Sequence, residues 1–185
     1  MRFGVRRAIL PAGHAHTVSS TRRTLAVAFD VDSLIEGVRE SRRHFLKHLK
    51  GLRDDQWDWK PYPECKSIRE TLAHLVSDDR AYMEILRTGA MPDFQAVEEH
   101  ETDAAKLLSR LERSHEDLCA FLKERFAGAP LDAEVFFFTG KEKLGHALLG
   151  ISSEDYYHAG QVAFIRMATD PSWDYYAAIY GDAGE

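Results

Sequence analysis

Four stretches of about 20 to 28 residues each place apolar side chains at three- and four-residue steps, and glycine or proline closes every one. The first runs from about Asp30 to Lys50 through Leu34, Val38, Phe45 and Leu49 and stops at Gly51. The second opens at Ser67, where Ser67 and Glu70 form the S-x-x-E pattern of a capping box. It continues through Ile68, Leu72, Leu75, Tyr82, Met83 and Leu86 to Gly89. The third spans Thr102 to Ala127 through Leu107, Leu111, Leu118 and Leu122, with Gly128 and Pro130 as stop signals. The fourth spans Lys141 to Thr169 through Leu144, Leu148, Ile151, Val162 and Ile165, and Pro171 bars continuation. Amphipathic helices of this length bury their stripes best against one another, which predicts an all-α four-helix bundle.

The connections carry Trp57, Trp59, Pro61, Pro63 and Pro92, and the run Val135-Phe136-Phe137-Phe138. That run is the one strand-like stretch in the chain. Too short to build a sheet, it reads as a loop tucked against the bundle. The exposed aromatic area in these connections points to a symmetric dimer, unless the rings pack across the bundle ends within one chain.

With 185 residues, 44% of them hydrophobic and 29% charged, the chain has material for one real core, and global disorder is excluded. No apolar run approaches the ~18–20 residues of a membrane span. Residues 1–29 hold Arg2, Arg6, Arg7, Arg22 and Arg23 and no acid, whereas from Asp30 onward 19 basic residues face 30 acidic ones, a net of −11. An acidic body repels a phosphate backbone, so nucleic acid is not an expected partner. The basic leader superficially resembles a transit peptide. No amphipathic pattern crosses Pro11 and Gly13, so it reads as a weakly structured extension (1–29) before the bundle (30–170) and a C-terminal tail (171–185). Cys65 and Cys119 lie 54 residues apart without a CxxC motif. They suggest neither a disulfide scaffold nor a thiol nucleophile, and a reducing, cytoplasmic setting fits them.

Chemistry concentrates on the second and fourth segments. His74 lies beside the second stripe, in a row with Thr71 and Asp78. Glu154 and His158, four residues apart, share a face of the fourth helix about 40° wide. Imidazole and carboxylate projecting from neighbouring helices into a bundle is how bundle metal sites are built, and three protein ligands leave a position open for water or substrate. The same residues also read as a hydrogen-bonded core histidine beside a solvated Glu/His pair. Gln161 and Asp78 stand where they can orient the histidines, and Asp78 reads equally as a surface residue. Gly160 reads as a point of close helix approach. His44 and His48 read as surface residues, with His48 at the stripe's edge. His146, about 18 Å along the helix from His158, is no third ligand. His115-Glu116 lacks the second histidine of HExxH, and Gly140-Lys141-Glu142-Lys143 lacks phosphate-loop spacing.

The stretch Trp57-Asp58-Trp59-Lys60-Pro61-Tyr62-Pro63 followed by Ser67 to Leu75 resembles the second-helix signature of the DinB/YfiT-like family. Tyr157-His158-Ala159-Gly160-Gln161-Val162 with Arg166 resembles its fourth-helix signature, in the same order and spacing over residues 30 to 170. The resemblance implies an up-down-down-up bundle, usually dimeric, that holds a divalent metal through three histidines. His74 and His158 match two of them. Glu154 occupies the third position, giving a two-His, one-carboxylate set or a site that has lost its ion. Lys66 stands where the family often has tryptophan. Zinc or nickel is the implied ion, with manganese and iron also compatible. The implied activities are metal-dependent hydrolysis of a small molecule or transfer of a low-molecular-weight thiol. The rival reading is a non-catalytic, stress-associated dimeric bundle with a degenerate site.

Overall fold

A computed structural model describes residues 29–138 and 140–181. The predicted basic extension falls, but for Phe29, outside the described residues. Helix α1 (Val31–Lys47) starts where the Asp30 carboxylate accepts from the Ser33 amide at 2.9 Å, and it ends three residues before its predicted limit. A 3-10 turn at Asp54–Gln56 follows. In α2 (Ile68–Thr88) the capping box closes in both directions: the Glu70 amide donates to Ser67 Oγ at 3.2 Å, and the Ser67 amide donates to Glu70 Oε2 at 2.9 Å. Gly89, at φ 71°, provides the left-handed turn that ends it. A short helix α3 (Phe94–Val97) leads to α4 (Ala104–Phe126). Strands β1 (Glu134–Phe137) and β2 (Gly140–Lys143) precede α5 (Leu144–Thr169), and α6 (Tyr175–Tyr180) closes the chain.

The core divides into two ends, and their membership fixes the topology. One end joins the start of α1 (Val31, Leu34), the finish of α2 (Tyr82, Leu86), the finish of α4 (Leu122, Phe126) and the start of α5 (Leu144, Leu148). The other joins the finish of α1 (Phe45), the start of α2 (Ile68, Leu72), the start of α4 (Leu107, Leu111) and the finish of α5 (Val162, Ile165). Taken in order, α1, α2, α4 and α5 therefore run up, down, down and up. The parallel pair α2 and α4 requires a connection along the bundle, which the 15 residues between Thr88 and Ala104 provide. Among the described residues no helix is long and apolar enough to cross a membrane.

The connections differ from expectation in a consistent way. Val135 to Phe137 is not a loop: it pairs antiparallel with Gly140 to Lys143, Phe137 opposite Gly140. This hairpin covers one bundle end. The Phe137 and Phe138 rings each lie 5.6 Å from Tyr82. At the other end Trp57 and Trp59 pack on the core around Leu72. Trp57, Trp59, Phe137 and Phe138 are thus partly buried against the core of their own chain, the alternative packing across the bundle ends. Arg166 donates to the carbonyl oxygens of His48 at 2.9 Å and Lys50 at 2.6 Å, stapling the end of α5 to the end of α1. His48 is buried beneath this contact, not exposed.

Candidate metal centre

His74 sits two turns into α2, and Glu154 and His158 lie one turn apart on either side of the middle of α5. Because α2 and α5 are antiparallel, the early turns of one lie beside the late turns of the other. The His74 and His158 ring centroids are 5.0 Å apart, nearly perpendicular at 79°. Glu154 Oε2 lies 3.6 Å from His158 Nε2. One ligand atom from each of the three residues falls within 4.8 Å of the other two. A tetrahedral ion with bonds near 2.1 Å sets its ligand atoms about 3.4 Å apart, so small side-chain movements bring the three onto one point.

The polar groups around the triad prepare it for a cation. Gln161 Oε1 accepts from His158 Nδ1 at 2.7 Å, which assigns the ring proton to Nδ1 and leaves a lone pair on Nε2. That Nε2 atom is buried and has no hydrogen-bond partner. A buried nitrogen lone pair facing a second imidazole and a carboxylate fits a divalent ion better than it fits a finished core. Burial pushes His74 down to about 4, helped by the neighbouring His158 and by the charge of Lys66. Burial likewise lowers His158. Both rings are therefore neutral at pH 7, the form that coordinates metal. Asp78 Oδ2 lies 3.2 Å from His74 Nε2. Burial, then the charges of Glu154 and Asp79, push its carboxyl up to about 7.

A pocket of about 700 Å³ opens beside the triad. It is walled by Pro61, Tyr62 and Lys66 of the α1–α2 connection and by Tyr157, Gln161 and Phe164 of α5. No residue of α1 lines it. Cys65, which the sequence places outside both motifs, stands at the rim. Gly160 also borders the pocket, and a Cβ there would meet nothing within 4 Å, so among the described residues no helix packs close against it. His146 is far from the triad and pairs with Glu142 at 3.1 Å.

Beneath the triad lies a second polar cluster that sequence reasoning missed. Arg42 of α1 donates from Nε to Asp155 at 2.8 Å and from both terminal nitrogens to Asp79, at 3.1 and 3.2 Å. It also donates to the Leu111 carbonyl of α4 at 3.1 Å. Ser41 donates to Asp155 at 2.9 Å and Ser114 to Asp79 at 2.6 Å, while the His115 ring bridges Asp79 at 3.4 Å and the Val38 carbonyl at 3.0 Å. All of these side chains are buried. Arg42, Asp79, His115 and Asp155 each fall three or four residues from apolar stripe members (Val38, Leu75, Leu111, Ile151), and this position on the stripe was the available signal. Two helices thus give adjacent carboxylates to different partners. Asp79 and Asp155 turn to Arg42, and Asp78 and Glu154 turn to the triad.

A helical bundle with an open His/Glu/His cluster between its second and fourth long helices is the class that fold and site define. The chain belongs to the DinB superfamily, whose family model matches residues 38–162. The crystal structure of a DinB-like protein from Bacillus subtilis shares the fold with a TM-score of 0.58 at 19% identity, covering 77% of this chain and 96% of that one. A search of the curated proteins returns no match.

Proposed function

We propose that this chain is a divalent-metal-dependent enzyme acting on a small molecule, with the ion held by His74, Glu154 and His158. The observation that carries the reading is the buried, unpartnered Nε2 of His158 facing His74 and Glu154. When bound, a zinc or nickel ion, or manganese or iron in their place, supplies the Lewis acidity that makes water or a low-molecular-weight thiol nucleophilic at neutral pH, for hydrolysis or for S-transfer. The chain's own residues then divide the remaining work. Gln161 keeps His158 in the ligating tautomer, Asp78 steadies the His74 ring, and Tyr157 and Phe164 shield one side of the site from bulk water.

The direct test is metal content after purification without added metal, followed by calorimetric titration with Zn²⁺ and Ni²⁺. One ion per chain is expected. Failure to bind either ion after reconstitution refutes the reading. Glu154→His is expected to retain the ion with equal or tighter affinity, because it replaces a carboxylate by a third imidazole at the same place on α5. A second reading, the non-catalytic bundle, draws on one feature: Asp78 already lies 3.2 Å from His74 Nε2 and satisfies that ring without a cation. The same titration separates the two.

The chain is further proposed to form a homodimer through the outer face of α5. Leu149, Tyr156 and Met167, all about half-exposed, are spaced seven and eleven residues apart, so they fall on one line along the helix. With its opposite side in the core, α5 is apolar on both faces, which marks a helix with a second partner. Sedimentation is expected to give twice the 21.0 kDa chain mass. Leu149→Glu combined with Met167→Glu should halve it, and a wild-type monomer at micromolar concentration removes the dimer.

A further inference from the structure

Lys66 occupies an unusual place. It stands immediately before the Ser67 cap, on the wall between the 700 Å³ pocket and a neighbouring cavity of about 750 Å³. Lys60, close by, is neutralised by Glu70 at 2.6 Å, whereas Lys66 forms no ion pair among the described residues. It lines the same pocket as His74, Glu154 and His158, and its charge is felt by His74, His158 and Asp78 as well as by Glu70. The two cavities differ sharply in what they offer an anion. The larger is bordered by five acids, Glu64, Glu70, Asp78, Glu98 and Glu99, against Lys60 and Lys66, and repels one. The smaller has Glu64 and Glu154 as its acids and exposes the rings of Tyr62, Tyr157 and Phe164.

We propose that the pocket beside the triad binds a small monocarboxylate with an apolar body, the carboxylate held by Lys66 and the body laid against Tyr62, Tyr157 and Phe164. A pocket of this volume suits one small organic molecule, and exposed aromatic rings converging on a cavity are a binding surface for apolar atoms. One lysine is a point charge that balances a single negative charge. Among the described residues no arginine lines the pocket to offer the forked donors that a phosphate dianion recruits, which favours a carboxylate. This assignment rests on the reading of the triad as the reacting centre for its functional meaning, because the ligand lies along the triad's open side. The binding itself needs no ion.

The test therefore uses full-length protein stripped of metal with a chelator. The probes are 4-phenylbutyrate and its neutral amide, 4-phenylbutyramide, with affinities read from NMR chemical-shift titrations. The acid is expected to bind about five- to ten-fold tighter than the amide, the range of one partly solvated charge-assisted contact. Lys66→Met should remove that preference and leave the amide unchanged, and Lys66→Arg should restore it. Tyr62→Ala should weaken acid and amide alike, with the preference intact. Equal binding of acid and amide by the wild type, an unchanged preference in Lys66→Met, or no binding of either probe overturns the proposal. Because the protein is metal-free throughout, failure of the metal reading leaves these outcomes unaffected, and failure here leaves the ion titration unaffected.

Discussion

Replacing Arg42 with methionine is expected to lower the folding stability by about 3–5 kcal/mol, the loss typical of removing one partner from a buried ion pair. Methionine fills much of the same volume, so the loss comes chiefly from charge. It leaves Asp79 and Asp155 facing each other in the core with only serine hydroxyls and the His115 ring as partners. Urea unfolding of the variant measures the loss, and a value under about 1 kcal/mol would show that Arg42 is not the hub of the cluster. Removing all three charges together, with Asp79→Asn and Asp155→Asn added, should recover part of the loss, because no uncompensated charge then remains.

The same cluster gives stability a pH dependence. Burial pulls His115 down, but its hydrogen bonds to Asp79 and Cys119, together with the charge of Asp79, outweigh that and raise it to about 9. The folded state therefore holds this proton more tightly than the unfolded chain, whose histidine titrates near 6.5. The contribution is complete below pH 6.5 and is lost as the pH rises through 9. Protonated His115 and Arg42 together balance Asp79 and Asp155, so losing the proton leaves the core with a net negative charge. A falling melting temperature between pH 6.5 and 9.5 is expected, and His115→Asn should flatten the slope.

The largest effect on function is expected from His158→Ala, which should weaken Zn²⁺ binding by more than about a hundred-fold. Removing a group that merely orients a ligand costs 10- to 100-fold, and here one ligand of three is lost. Gln161→Leu should fall within that smaller range, because it frees the His158 ring to adopt the other tautomer. Calorimetric titration with circular dichroism as a folding control checks both. If His158→Ala binds Zn²⁺ like the wild type, the ion lies elsewhere and the triad is not its site.

The helices and the hairpin show where local information was sufficient and where it was not. The second helix was legible to the residue because its signals are local: the capping box at Ser67 and Glu70, the stripe at three- and four-residue steps, and Gly89 at the end. The Val135–Phe138 run looked strand-like yet could not be read as a paired strand, because its partner, Gly140-Lys141-Glu142-Lys143, has no strand pattern of its own. Pairing between two segments is decided by where the bundle brings them, here against Tyr82 and the start of α5. His115 failed for a related reason. Within its own helix it is one polar residue among many, and only Asp79, 36 positions away, makes it a buried cation.

The sequence by itself determined four long helices, their caps and stripes, the motif order that carries the DinB resemblance, and the identities of His74, Glu154 and His158. Those follow from interactions within a few residues along the chain, where a periodicity of 3.6 translates spacing into face. The tertiary structure decided that Asp79 and Asp155 turn inward while Asp78 and Glu154 turn to the triad, that the pocket is built by the α1–α2 connection and α5, and that Lys66 lines it with no ion pair among the described residues. Adjacent residues on a helix point about 100° apart, so which of two carboxylates meets the His74–His158 pair and which meets Arg42 depends on how each helix is rotated about its axis. That rotation is set by packing against three other helices at once, a property that no single stretch of the chain contains.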